Sequence, residues 1–442
     1  MKKIVYLLLL FSISLQAQFY QIGGNNISFS TSFAEIEIET VSGNDYSITF
    51  EDGTTATGQS GTVLRHPYSS SLNFLEITSI TGDIKSVSIL ENIHIRLDVL
   101  TNLTNLEVIT DDFAVSGILE GNLSDLPANV LTFYKRESQG VITGDIQHLA
   151  GADYIYIYGN QITVTGDIQH LAGADYIYIY GNQITVTGDI QHLAGADYVY
   201  FNGNQITVTG DIQHLAGADY VYFIGNQITV TGDIQHLAGA NYIYLDGSQI
   251  TVSGDIQHLA GIYYIRLFGN QITVTGDIQH LAGADFIYIY GNQITVTGDI
   301  QHLAGADYIY IYGNQITVTG DIQNLAGVDT IRFIGDQIAV SGDIQHLAGA
   351  NYVLFIGDQI SLSYTSTSWS NAPSNRIQIQ ELQSGLTQNE VDNLLIDISN
   401  AASIPSSGSR IITITANNSA PSAASNSAIT FLQNNGYTVN TN

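Results

Sequence analysis

Aliphatic and phenolic side chains exchange places at every residue over Tyr154-Ile155-Tyr156-Ile157-Tyr158. That alternation predicts a strand with Ile155 and Ile157 turned one way and three tyrosines the other. A second alternation, Ile162-Thr163-Val164-Thr165, predicts a shorter strand with both threonines outward. The two recur together. The phrase GDIQHLAGADYIYIYGNQITVT begins at Gly144 and returns, with small changes, at Gly166, Gly188, Gly210, Gly232, Gly254, Gly276, Gly298, Gly320 and Gly342, giving ten units of 22 residues with no insertion. A fixed period of this size predicts a solenoid. One unit is too small to hold a core, so each buries its apolar side chains against its neighbours.

Leu149, Ala152, Ile155, Ile157, Asn160 and Ile162 follow the spacing LxxLxxLxLxxNxL in all ten units. This resembles the leucine-rich-repeat family. The resemblance implies a β-rich solenoid, a right-handed coil of parallel strands with the tyrosine strand on the concave side. The segment Gly166-Asp167-Ile168, following the threonines, is similar to the subset of that family with a second, short-strand sheet on the convex side. Few or no helices are expected between residues 144 and 363. The column Asn160, Asn182, Asn204, Asn226, Ser248, Asn270, Asn292, Asn314, Asp336, Asp358 is expected to be buried, its amides satisfying inward-pointing backbone groups. Its two carboxylates would mark a looser end or face more water.

The flanks read as caps. Residues 1–17 carry Lys2 and Lys3, an apolar run from Ile4 to Leu10, and a small residue, Ala17, at the end of Leu15-Gln16-Ala17. They are expected to be a removable export signal of bacterial type, making the protein secreted or surface-borne. Residues 18–70 alternate at Ser28-Phe29-Ser30, Ile36 to Glu39 and Ser47 to Phe50, with a turn at Glu51-Asp52-Gly53, as expected of a small β cap. Residues 71–143 read as degenerate repeats, through Ile80-Thr81-Gly82-Asp83-Ile84 and the series Leu100, Leu103, Leu106, Val108, Asp111, Phe113. Residues 364–442 are expected to form a small α/β cap. It would hold strands at Ile377 to Ile379, Ile411 to Ile414 and Tyr437 to Val439. Its helices would run from a Thr387-Gln388-Asn389-Glu390 capping box to Ile398 and from Ala423 to Leu432.

Charge narrows the function. Forty acidic side chains face 11 Lys plus Arg, for a net charge of −29, or −31 without Lys2 and Lys3. That balance excludes a nucleic-acid partner, which needs a basic footprint, and disfavours anionic membrane surfaces. No apolar run reaches about 18 residues, so no membrane span is expected. The absence of cysteine excludes disulfides, thiolate metal sites and a cysteine nucleophile. No GxSxG elbow, HExxH pair or phosphate loop occurs, and a near-identical repeat supplies like groups along a line rather than unlike groups at one point. The expectation is a binding protein without catalysis or cofactor.

Repetition turns each outward residue into a column with about 4.8 Å between neighbours. The candidate ligand-binding residues lie in two of these: Tyr154, Tyr176, Tyr198, Tyr220, Tyr242 and Tyr308 in the first, and Tyr156, Tyr178, Tyr200, Tyr222, Tyr244, Tyr288 and Tyr310 in the second. Arg266 and Arg332 interrupt the second column and would divide it into subsites. Tyrosine offers large contact area, few rotamers and a polar tip, so a protein or glycan is the expected partner. Tyrosine also favours strands as pure scaffold. The aspartate columns, one per unit from Asp145 and another from Asp153, read as turn-bonded and hydrated rather than as calcium sites. The histidine column from His148 reads as solvated, because no second ligand type joins it. Two other functions compete. Thr-x-Thr rows resemble the ice-binding face of β-solenoid antifreeze proteins, and a spacer without a ligand would need no face at all.

Overall fold

The computed structural model describes residues 32–68, 74–111, 117–136, 140–406 and 410–442. The expected signal segment 1–17, Ser28 to Ser30 and Phe113 lie outside these. Each repeat is one coil, numbered here 1 to 10 from Gly144. In coil 1 a 3₁₀ turn spans Ile146–Leu149, a first strand Tyr154–Tyr158 and a second strand Thr163–Asp167. Ile146, Leu149, Ala152, Ile155, Ile157, Ile162 and Val164 are at most 2% exposed. The inward set predicted from alternation is therefore the core.

The first strands make one sheet and the second strands another. Among the described residues these hold eighteen and sixteen strands. Around the repeats the first sheet is extended at its start by Thr132–Lys135, Val108–Asp111 and Ile84–Glu91. Beyond these, Ser32–Thr40 and Thr62–Tyr68 add antiparallel to one another and close that end. At the far end Arg376–Gln380, Ile411–Ile414 and Thr438–Thr441 continue the sheet in parallel. Helices α1 (Gln388–Ser399) and α2 (Asn426–Asn434) belong to that cap. Thr387 and Glu390 form the capping box read from sequence, the Thr387 amide donating to Glu390 over 2.8 Å.

One expectation, the buried asparagine column, needs correction. One turn of 3₁₀ helix occurs in every coil, because Ile146 and Leu149 stand three residues apart and both point inward, and i and i+3 eclipse in that helix. Asp145 caps it, accepting from the Gln147 amide at 2.8 Å, and all ten coils repeat this cap. At Gly82-Asp83, by contrast, no such turn forms: Ile84 starts the long strand Ile84–Glu91. The asparagine column is not buried. Gly159 takes the inward place, and Asn160 sits in the following turn, exposed. Asn182 donates to Asn160 at 2.9 Å and Asn204 to Asn182 at 3.3 Å, an amide rail on the surface. Asp336 and Asp358 face water in the same turn, exposed like their neighbours.

The sheets differ in register. In the first sheet Tyr154 faces Tyr176, an interval of one full repeat. In the second, Thr165 faces Thr185 and Asp167 faces Thr187, so each strand slides two residues past the last. Equivalent residues thus recur at about 4.8 Å on the tyrosine side, whereas a slide of about 6.6 Å makes the step on the threonine side about 8 Å. The slide runs along the strands, so it is a twist of successive coils about the long axis of the solenoid, and the tyrosine sheet, which does not slide, lies nearer that axis as the inner sheet.

Candidate functional site

Three outward columns cross the inner sheet. In the first, rings stack from Tyr154 to Tyr308, with centroids 4.2 Å apart between Tyr154 and Tyr176 and 4.1 Å between Tyr264 and Phe286. The widest spacing, 6.0 Å, falls between Tyr242 and Tyr264. In the second, Tyr156, Tyr178 and Tyr200 stack at 4.4 and 4.1 Å, and Tyr288 meets Tyr310 at 4.2 Å. Every candidate tyrosine is partly exposed. Because ring faces cover one another along the solenoid axis, a ligand meets mostly ring edges and hydroxyl tips. The face is a comb whose teeth are already ordered.

Arg266 is layered into this comb. Its guanidinium carbon lies 4.8 Å from the Tyr244 ring centre and 4.0 Å from that of Tyr288, and it pairs with Asp246 at 3.0 Å. The cation takes the place of a missing ring. Arg332 likewise lies 5.3 Å from the Tyr310 ring and 3.8 Å from that of Tyr352. Tyr134 extends the second column one strand before the repeats, 4.3 Å from Tyr156. The alternation in Thr132-Phe133-Tyr134-Lys135 could have located it, although the exact repeat does not reach so far.

Partial burial pushes the phenols up. Tyr198 and Tyr264 move to about 12, chiefly by desolvation, and Tyr176, Tyr178, Tyr222 and Tyr310 go higher for the same first reason. All remain protonated at neutral pH, so each tip can donate as well as accept. These six tips are thus uncharged, and a polar rail runs on either side of the comb. At the start of each strand runs an acidic rail, including Asp153, Asp175, Asp197 and Asp219. The residues that break it relieve its repulsion: Asn241 donates to Asp219 at 2.6 Å, Tyr263 to Asp285 at 2.6 Å and Asn351 to Asp329 at 2.5 Å. Beyond the end of each strand runs the exposed amide rail.

The threonine sheet offers a different surface. Its slide places the second threonine of one coil beside the first of the next, so equivalent hydroxyls recur obliquely instead of in square rows. Thr209, Thr231 and Thr275 each turn a hydroxyl to a backbone carbonyl of the preceding strand in that sheet, at a long 3.4 Å. Both features depart from the flat, free hydroxyl array on which an ice-binding reading rests. His148 and its counterparts follow the 3₁₀ turns as a separate row. Among the described residues no group of three His, Cys, Asp or Glu side chains could hold a metal, and no helix is long and apolar enough to cross a membrane.

The architecture is that of a leucine-rich-repeat solenoid: 22-residue coils, two parallel sheets, an antiparallel cap at the start and an α/β cap at the end. No protein-family model matches the chain, and no curated protein matches it in sequence. Solved structures do resemble it. The plant peptide hormone receptor RGFR1, in complex with RGF2, is 12% identical, with 77% of this chain and 66% of the receptor chain covered and a TM-score of 0.44. An internalin from Listeria monocytogenes is 15% identical, with 77% of this chain and 83% of the internalin covered and a TM-score of 0.35. A plant ice-binding protein is 17% identical, with 50% of this chain and 74% of that one covered and a TM-score of 0.34. The chain thus spans less than two thirds of the receptor's length. At these values the fold assignment rests on the coil's own geometry.

Proposed function

We propose that this chain is an exported, non-catalytic binding protein that holds a protein partner on its concave tyrosine sheet. The observation that supports this reading most is the stacked comb. Offset stacking contributes on the order of 1 kcal/mol per ring pair, so the rings are immobilised before any partner arrives and little side-chain entropy remains to be lost on binding. The covered ring faces favour protein over glycan. A sugar stacks on an aromatic face, whereas a protein surface can use edges, hydroxyls and the acidic rail beside them.

Replacing Tyr200, Tyr222 and Tyr244 together with Ala tests the proposal. Pull-down from partner extracts and a glycan array would be read alongside circular dichroism. Saturable protein binding that is lost in the triple variant, with the β signal retained, is the expected result. Binding unchanged in a folded triple variant would reject this face, and saturable glycan binding would reject the preference for protein.

A further inference from the structure

The third outward column is aromatic in coils 1 and 2 and again in coils 6 to 8. In coils 3 to 5 it is cut down to Asn202, Ile224 and Asp246. The aromatic has not vanished from coils 3 and 4; it has moved one residue, to Phe201 and Phe223, which are fully buried in the core. What remains outside is a notch between the rings of Tyr180 and Phe268, four coil steps or roughly 19 Å apart.

The structure marks the notch in other ways. In the neighbouring column the rings of Tyr200, Tyr222 and Tyr244 stand 5.4 Å apart at both steps, against 4.1 to 4.4 Å in the preceding coils. Tyr180 stacks on Tyr158 at 4.6 Å through one face, and the next residue of its column, on the other side, is Asn202. Asn202 turns its amide to the Tyr200 hydroxyl at 3.1 Å. At the opposite wall Arg266 shows what these rings accept, a guanidinium layered between two phenols and paired with Asp246. Coils 1 to 10 hold 20 acidic side chains and only two cationic ones, Arg266 and Arg332.

Resting on the reading that this sheet is the binding face, we infer that coils 3 to 5 form a subsite for an arginine side chain of a basic, extended polypeptide segment. The guanidinium lies against the open face of Tyr180, over Asn202 and Ile224, as Arg266 lies against Tyr288. The segment follows the comb, and the surplus of carboxylates favours its charge over that of an acidic or neutral peptide.

The test uses the full chain, fluorescein-labelled hexa-arginine and a hexa-glutamate control, read by fluorescence anisotropy at fixed salt. Asn202→Tyr with Ile224→Tyr refills the column as in coils 1 and 2. It should weaken hexa-arginine binding about tenfold, the size of one cation–π contact, and Tyr180→Ala should do nearly the same. Tyr312→Ala, outside the notch, should change nothing. Circular dichroism checks that each variant folds. Refilled and native chains binding equally would overturn the subsite. If the Tyr200, Tyr222 and Tyr244 triple variant still loses binding in that case, the face survives and only the subsite falls. If neither change matters, both fall. Equal binding of hexa-glutamate would also overturn the inference.

Discussion

Two glycines in coil 5 separate backbone strain from collision. Gly232 and Gly239 both have positive φ, +108° and +101°. A Cβ on Gly239 would meet nothing within 4 Å, whereas one on Gly232 would stand 2.2 Å from an oxygen of Asp211. That oxygen is the cap of the preceding coil, accepting from the Gln213 amide at 2.9 Å. Gly239→Ala should cost the conformational strain alone, about 2 kcal/mol. Gly232→Ala should add the displaced cap, about 1 kcal/mol more. Asp211→Ala should cost about 1 kcal/mol by itself. Combining it with Gly232→Ala should total about 3 rather than 4 kcal/mol, because the cap can be lost only once. Since coils contact only their neighbours, damage should be local. Amide exchange followed by mass spectrometry on peptides from coils 4 and 5 reads it directly, with urea unfolding alongside. Equal costs for the two glycine variants, or a fully additive cycle, would refute the reasoning.

Three further outcomes are expected. The tyrosine comb should make the fold sensitive to alkali: folded phenols ionise above their unfolded value near 10, so their stabilising contribution is intact below about pH 10 and is lost as pH rises through the folded values near 12 and beyond. Tyrosinate absorbance should therefore titrate late in the native chain and near pH 10 in urea, and matching curves would contradict this. Lys135 and Asp111 form a buried pair at 2.8 Å, and burial draws the lysine pKa down although Asp111 partly restores it. Lys135→Met should cost about 3–5 kcal/mol and Lys135→Met with Asp111→Leu close to none, so equal urea midpoints for the two would count against that account. Asn182→Ala should cost less than about 0.5 kcal/mol because its rail is exposed; a loss of several kcal/mol in urea unfolding would mean a buried amide after all.

The inward and outward assignments of a coil were legible because alternation is a local property: Ile155 and Ile157 could not share a side with Tyr156. The Thr387 capping box was legible for the same reason. Asn160 was misleading. In Gly159-Asn160-Gln161 the chain turns, alternation lapses, and spacing alone does not say whether glycine or asparagine faces inward. The slide of the threonine sheet was also hidden, since both sheets repeat every 22 residues and only the hydrogen-bond register distinguishes them. Arg266 read as a break because sequence shows a change of residue type, whereas the stacked guanidinium preserves the column.

Phe201 touches Phe223 within the core, with ring centres 6.1 Å apart, and Phe333 meets Phe355 at 5.8 Å. Each bulky interior ring thus has a like neighbour in the adjoining turn of the coil, and each of the four coils carries a non-aromatic residue at the next outward position: Asn202, Ile224, Ile334 and Ile356. Interior filling and exterior relief thus coincide in these four coils. Moving such a doublet as a unit would change what the sheet displays while keeping each interior ring beside its like.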